Sequence, residues 1–441
     1  MQEKKTYRMI AKTLKGLEEV LAQELTELGA DEVQIQRRAV SFRGDKAMLY
    51  TANLWLRTAL RVLVPVKVFS LQPSGASGHS DKQQKSAVSL QPSGASGHSD
   101  KQQKPEDQVY EMVKRIEWAR YMTAETRFAI DATVYSDTLR NSRFVTYRVK
   151  DAIADYWQER AGRRPSVQVT DPDLRINVHV AQDQVTISLD SSGESLHKRG
   201  YRVATTEAPL SEVLAAGMLM MAGWKGQCDL YDPMCGSGTI PIEAALMALN
   251  IPPGVFRKEF GFERWPDFDA DLWEEIYNDD TRERAFAHKI YGSDASFYAI
   301  QQAEKNVKSA GVGKYVTLKQ IRMEELRRAS AGENSMQDSL VMINPPYGER
   351  LAQQKDMLDL YGKIGTALKH QFTGATAWII SSNEEAMKQI GLKPSKKLRL
   401  LNGELDCRFN KYELFQGKRN EIVESQKSKV ESQKSKVKSN K

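Results

Sequence analysis

The sequence predicts α/β structure of two kinds in one chain: a small α+β module, followed by a larger domain on a mainly parallel, doubly wound sheet. Three observations lead there. From Leu210 onward, short apolar strands alternate with amphipathic helices, the βαβ signature of a parallel sheet. Before Asp190, helices mix with paired strands, including two runs joined by Ala181-Gln182-Asp183 that read as a hairpin. At 441 residues the chain is too long for one compact core, so two or three domains are expected.

The elements follow in order. A strand at Thr6 to Ala11 precedes a helix from Gly16 with Leu17, Val20, Leu21, Leu25 and Leu28 on one face, closed by Gly29. Strands at Val33 to Gln36 and Val40 to Arg43, a helix near Ala47 to Ala59 and a β-branched run at Val62 to Val68 complete the first part. Ser70 to Lys85 then recurs without change from Ser89 to Lys104, and a second short duplication begins at Val423 and Val430. Such polar copies cannot build a solenoid core and are expected to carry no chemistry. A helix through Val109 to Ile116, a strand at Arg127 to Val134, a helix from Phe144 to Gln158 and the hairpin bring the chain to Asp190. The second domain reads as strands at Cys228 to Asp232, Lys289 to Asp294, Tyr315 to Gln320, Ser339 to Ile343 and Thr376 to Ser381, with helices between. An Asn402-Gly403 pair predicts a type I′ hairpin at one edge. The expected divisions are 1–69, 70–104, 105–190, 191–417 and 418–441.

Composition narrows the function. No apolar run approaches the roughly 20 residues that cross a bilayer, and the N-terminus lacks an apolar signal core, which predicts a cytoplasmic location. The three cysteines make no disulfide framework, and the six histidines never fall at zinc spacing with them, so no metal is expected. The net charge of +7 is mostly a tail effect: residues 418–441 carry +5, leaving +2 upstream. The local run Arg140, Arg143, Arg148, Lys150, Arg160, Arg163 and Arg164 is the better pointer to a polyanion.

Two segments carry the chemistry, each directly after an apolar strand. In Asp232-Pro233-Met234-Cys235-Gly236-Ser237-Gly238-Thr239 the glycines let backbone approach a ligand, and the helix start behind them favours an anionic group. Pro241 stands where the dinucleotide fingerprint needs a small residue, and no Gly-Lys-Ser/Thr follows, so neither that motif nor a phosphate loop is present. Asp232 would repel a polyphosphate and welcome an ammonium. A ligand with both an ammonium and a carboxylate, such as the methionyl end of S-adenosylmethionine, suits the segment. Asp294, at the end of the next strand, is placed for ribose hydroxyls, delayed by an aromatic excursion from Pro252 to His288 that is either a satellite core or a lid.

In Asn344-Pro345-Pro346-Tyr347 the prolines stiffen the turn so that the Asn344 amide oxygen and the Pro345 carbonyl can accept both hydrogens of an exocyclic base amine, while Tyr347 offers a ring for stacking. Such an amine is a poor nucleophile because its lone pair is delocalised. Holding both hydrogens directs that pair at a methyl sulfonium. The run His197-Lys198-Arg199-Gly200-Tyr201-Arg202 could contact phosphate, shape the donor pocket or be a solvated linker. Met218, Met220 and Met221 read as helix core, and Cys235 as a small turn residue.

At these residues the chain resembles the RlmL-type ribosomal RNA guanine-N2 methyltransferases, in the single-catalytic-domain form with an N-terminal THUMP RNA-binding domain. The resemblance extends through Leu189-Asp190-Ser191-Ser192-Gly193-Glu194-Ser195-Leu196-His197-Lys198-Arg199-Gly200-Tyr201-Arg202 and Ala208-Pro209-Leu210. It implies a Rossmann-like class I methyltransferase domain, a mainly parallel sheet with an antiparallel edge hairpin, preceded by an α+β ferredoxin-like/THUMP module. It implies S-adenosylmethionine, leaving as S-adenosylhomocysteine, held by Asp232, Pro233, Cys235, Gly236, Ser237, Gly238 and Thr239, by Ser293, Asp294 and Ala295, and by Arg322 and Met323. Asn344, Pro345, Pro346 and Tyr347 would orient the amine. The partner implied is RNA, a large-subunit (23S) ribosomal RNA or a ribosome assembly intermediate, gripped by Arg140, Arg143, Arg148, Lys150, Lys198 and Arg199. Arg322 departs from the family, which often has an acid there to meet the adenine amine; Glu324, Glu325 or backbone would have to serve. The second catalytic domain of longer fused relatives is not in this sequence, so one methylation is expected. Three rivals stay open: a transfer-RNA guanine-N2 methyltransferase, an adenine-N6 nucleic-acid methyltransferase, and a non-catalytic RNA-binding ribosome-assembly factor.

Overall fold

Alternation of side chains along the first strand sets the architecture of the N-terminal half: Met9, Ala11 and Thr13 are buried, whereas Arg8, Ile10 and Lys12 point the other way. The structure, a computed structural model, describes residues 6–72, 104–207, 209–326, 338–346 and 354–415. Most of the duplicated stretch, the tail from 418 and Tyr347 lie outside these residues. Strands β1 (Tyr7–Thr13), β2 (Asp31–Gln36), β3 (Ala39–Gly44), β4 (Ala59–Ser70), β5 (Phe128–Tyr135), β6 (Leu174–Ala181) and β7 (Gln184–Asp190) form one sheet in the order β2-β3-β1-β4-β7-β6-β5. The two parts that the sequence separates at the duplicated stretch are therefore one layer, joined where β4 runs antiparallel to β7.

Helices α1 (Glu18–Glu27), α2 (Lys46–Trp55), α3 (Pro105–Lys114) and α4 (Ser142–Ala161) share one face of that sheet. The register proves it: Ala11 lies opposite Val62, and Val64 opposite Leu189, which pairs with Ile176, so the two apolar clusters under the helices are on the same side. Asp45 and Asn141 cap α2 and α4 by accepting from the Met48 and Phe144 N–H groups.

The second sheet comprises β8 (Leu230–Asp232), β9 (Ile290–Asp294), β10 (Val316–Gln320), β11 (Leu340–Ile343), β12 (Thr376–Ser381), β13 (Lys396–Asn402) and β14 (Leu405–Glu413), ordered β10-β9-β8-β11-β12-β14-β13. β8 to β12 are parallel, and β14 runs antiparallel to both β12 and β13. Helices α5 (Glu212–Met221), α6 (Thr239–Ala248), α8 (Phe297–Ser309), α9 (Gln354–Gln371) and α10 (Glu384–Gln389) accompany it, whereas α7 (Ala270–Tyr277) packs on α2 of the N-terminal half. The edge hairpin is present, but Asn402 pairs with Leu405, so its turn is Gly403-Glu404, one residue later than the Asn-Gly signal suggests. Gly403 has φ +62° whereas Glu404 is not among the residues with positive φ, so the turn is not type I′.

The aromatic excursion is a wedge between the halves. Phe260 and Phe262 are buried with Tyr50, Leu54 and Trp55 of α2; Tyr50 and Phe262 stack at 4.4 Å, and the Asp269 N–H donates to the Tyr50 hydroxyl at 3.0 Å. The satellite-core reading therefore holds for these rings, and the lid reading does not. A buried polar knot lies beside it. Arg199 and Tyr201 both reach Glu243 on α6, at 3.5 and 3.0 Å, while Arg57 donates to the Ile251 carbonyl at 2.7 Å. Arg199, expected to grip RNA, is 2% exposed and its donors are spent on Glu243 and on the Leu196 and Arg57 carbonyls. An isolated buried carboxylate is unfavourable enough that Glu243 needs such a partner.

No helix among the described residues is long and apolar enough to cross a membrane. Because Phe262 fills the seam between α2 and the excursion, Phe262→Ala is expected to cost about 3–5 kcal/mol, read as a lowered midpoint in chemical denaturation; an unchanged midpoint would show that the rings are not the glue.

Candidate functional site

The strand order reverses between β8 and β11: the chain proceeds from β8 outward through β9 to β10, then returns to the other flank of β8. In open α/β sheets ligands settle at the carboxyl ends of the strands at such a point. Here those ends carry Asp232 and Asn344, on strands paired in parallel through Leu340–Leu230 and Val341–Tyr231. A cavity of about 370 Å³ opens between them.

Of the residues the sequence nominates, Asp232, Pro233, Cys235, Gly236, Ser237, Thr239, Asp294, Ala295, Arg322, Met323, Asn344 and Pro346 line this cavity. Three nominees stand behind the wall instead. Gly238, at φ +84°, starts α6 and packs its Cα side against Ala303, where a Cβ would come within 3.2 Å. Ser293 supplies the carbonyl that accepts the Cys235 N–H at 2.8 Å. Pro345 is buried. Gly236 differs from Gly238 in that a Cβ there would meet nothing within 4 Å, so this turn faces open space.

Two polar atoms in the wall are buried without a partner among the described residues: Asp232 Oδ2 and Asn344 Oδ1. Asp232 uses its other oxygen to accept the Met234 N–H at 3.2 Å. Burial, with the Asp294 charge adding to it, holds the Asp232 carboxyl well above the usual carboxylate range. Asp294 accepts from the Gly236 N–H at 3.0 Å and from the Ser296 N–H at 2.9 Å, so it braces the loop and the start of α8. The Cys235 thiol is pushed up strongly by burial and stays protonated, which fits a small turn residue.

Thr206, Glu207, Pro209, Leu210, Met234, Ile240 and Leu360, which are not nominated as site residues, also line the cavity. Glu324 does too, whereas Glu325 does not, and Arg322 stands 4.0 Å from Glu324. Two residues brace the site from behind. Arg202 donates to the Ser237 and Thr239 hydroxyls at 3.0 and 2.9 Å, to the Leu210 carbonyl at 3.1 Å and to Glu212 at 2.7 Å. Asn306, on α8, donates to the Ser237 and Ala204 carbonyls and accepts from the Val203 and Ala204 N–H groups. The donor-pocket reading of the His197 to Arg202 run is right for Arg202.

The cationic run in the N-terminal half is less available than the sequence suggests. Arg148 pairs with Asp107, Arg163 with Glu125, Arg164 with Asp155 and Lys150 with Asp151. Arg160 lies over the Tyr156 ring, and Lys198 pairs with Glu194. Arg140 and Arg143 are exposed. Among the described residues, no group of three or more His, Cys, Asp or Glu could hold a metal ion.

A parallel sheet with this strand order, a glycine turn open to a cavity and an amide acceptor on the neighbouring strand define a class I methyltransferase. Comparison with known proteins carries this to a family. Residues 199–411 match the RMKL-like methyltransferase domain, residues 8–63 the RlmL ferredoxin-like domain and residues 103–190 the THUMP domain. A Synechocystis protein named as an RNA methyltransferase is 38% identical over 92% of this chain and 96% of its own length. A Syntrophotalea carbinolica protein named ribosomal RNA large subunit methyltransferase K/L is 36% identical over 92% of this chain and 53% of its own length, so the chain spans about half of that relative. A solved methyltransferase in complex with S-adenosylhomocysteine superposes with a TM-score of 0.77 at 28% identity, covering 94% of this chain and 100% of that one. A Listeria monocytogenes structure named for N6-adenine-specific DNA methylation superposes at 0.76 and 29% identity, covering 93% and 97%. The chain belongs to the RMKL-like methyltransferase family and is an S-adenosylmethionine-dependent methyltransferase.

The wall fits that methyl donor: an orphaned carboxylate oxygen suits its ammonium, and the open turn at Gly236 leaves room for a ligand. Two outcomes follow. Arg202→Met removes charge-assisted bonds of about 1.5–3 kcal/mol each, so affinity for S-adenosylhomocysteine should fall at least tenfold by calorimetry; unchanged affinity would show that the loop holds itself. An ammonium binds the ionised form of Asp232, whose pKa is raised, so the carboxyl must lose its proton on binding. Affinity should therefore strengthen as pH rises until Asp232 is ionised in the free protein, and Asp232→Asn should abolish that slope; a flat wild-type profile counts against the pairing.

Proposed function

We propose that this chain transfers a methyl group from S-adenosylmethionine to the exocyclic N2 amine of a guanine in RNA, with large-subunit ribosomal RNA as the acceptor and the cytoplasm as the place of action. The observation that supports this most is the buried, unpartnered Asn344 Oδ1 in the same cavity wall as Asp232 and Gly236. A buried acceptor left unsatisfied costs about 1–3 kcal/mol, and an amine N–H entering the cavity relieves it. The matched THUMP and ferredoxin-like segments, and relatives named for ribosomal RNA, favour RNA over DNA.

In this reading Asp232 and the turn at Gly236 hold the methionyl end of the donor. Asp294 and Ala295 meet the ribose, with Met323, Arg322 and Glu324 around the adenine. Bound S-adenosylmethionine supplies an electrophilic methyl on its sulfonium. Asn344 Oδ1 accepts one amine hydrogen, and the Pro345 carbonyl, which does not line the cavity without a substrate, takes the other once the base enters; this turns the lone pair out of conjugation and toward the donor side of the cavity. The attack puts the positive charge on nitrogen and leaves the sulfur neutral. The methylated amine is then strongly acidic and releases a proton to water, so no general base is needed. Tyr347, which would stack on the base, belongs to the same proposal. The target guanine must leave its stack to enter, at an unstacking cost of a few kcal/mol.

Asn344→Ala should lower kcat about a hundredfold or more while S-adenosylhomocysteine affinity stays within twofold, measured by methyl transfer and calorimetry. Nucleosides from RNA treated with wild-type protein should contain N2-methylguanosine. Full activity in the variant would overturn the amide's role; N6-methyladenosine as the product would overturn the guanine.

A further inference from the structure

The four N-terminal helices cover only one face of the seven-stranded sheet, and the other face has its own chemistry. Strand register puts Arg8, Lys12, Arg61, Asp190, Asn177 and His179 on that side, because Lys12 lies opposite Arg61, Leu63 opposite Asp190 and Asn177 opposite Ser188; of these, Asp190 and Asn177 are buried beneath their neighbours. Its acids are already engaged: Asp190 with Arg61, and Asp131 with Arg175. Lys12 is half-buried and its ammonium makes no ion pair or hydrogen bond among the described residues; Arg61, its cross-strand neighbour, and Arg38 repel it, and the charges of Asp190 and Asp131 offset this only in part. Burial together with those two arginines lowers its pKa, a condition that a bound anion would relieve.

Towards the catalytic half the face runs into a cleft of about 690 Å³ in which cations and acids alternate: Lys198 pairs with Glu194 and Arg264 with Asp171, Asp173 and Glu259, while Arg202 is in its wall. Arg202 is the residue that holds Ser237 and Thr239, so the cleft backs directly onto the donor loop. At the far edge, on β5, Tyr135 is 57% exposed and meets His179 edge-on at 6.2 Å, a pair on which a base can stack.

We propose that this sheet face, from the cluster at Lys12 across to Tyr135 on β5, is the surface on which the RNA strand lies. The proposal rests on the RNA reading above and names where the strand sits. Phosphates occupy the Lys12–Arg61–Arg38 cluster, and an unpaired base stacks at Tyr135. The exposed cation of α4, Arg143, belongs to the helical side and lies off this path.

The experiment measures binding of deproteinised large-subunit ribosomal RNA at several salt concentrations, alongside formation of N2-methylguanosine. Lys12→Glu and Tyr135→Ala should each weaken binding about tenfold or more, and Lys12→Gln should reduce the salt slope by about one. Arg143→Glu should bind as the wild type does. Unchanged S-adenosylhomocysteine affinity and melting temperature in every variant separate lost contact from lost fold. Normal binding in Lys12→Glu with loss in Arg143→Glu would overturn the face assignment and leave the methylation reading intact. A wild type that neither binds this RNA nor forms N2-methylguanosine would overturn both.

Discussion

Parallel pairing of β8 with β11 is the constraint on which the site depends. It sets Asp232 and Asn344 at adjoining strand ends and leaves each with an oxygen that no described group satisfies. Native interiors rarely leave buried polar atoms unpaired, so two of them facing one cavity mark the place where a ligand completes the structure. Asn344 Oδ1 is an acceptor and so is Asp232 Oδ2 once ionised; in the proposed reading an amine answers the first and an ammonium the second.

The N-terminal half is fixed to this site by packing and by buried charge. Aromatic rings of the excursion interlock with α2, while Arg199, Tyr201 and Glu243 form a knot beneath α6, the helix that the donor loop starts. Arg202, next in sequence, then holds the loop itself. Removing one partner from a buried pair leaves an uncompensated charge, so this short run is under more constraint than a linker would be. The consequence is that the module proposed to carry RNA and the loop proposed to carry the donor share a rigid connection.

The periodic elements were legible because a 3.6-residue or two-residue repeat is a local property. Leu21 and Leu25, or Ile176, Val178 and Val180, announce their faces wherever the chain goes. The Asp232 to Thr239 and Asn344 segments were legible for the same reason, since glycine and proline constrain backbone where they stand. What stayed hidden depends on distant partners. Nothing near Arg148 in sequence reveals Asp107, and nothing near Arg199 reveals Glu243, so both looked free to bind RNA. Arg202 and Asn306 were invisible as braces because their partners lie 35 to 103 positions away. The single N-terminal sheet was missed because the pairing of β4 with β7 spans the duplicated stretch.

The most direct measurement is a crystal structure of the protein with S-adenosylhomocysteine bound. The account predicts the ligand's ammonium against Asp232 Oδ2 and its sulfur on the side of the cavity that Asn344 Oδ1 faces. A ligand seated elsewhere, or an Asn344 amide turned into the core and hydrogen-bonded there, would contradict it.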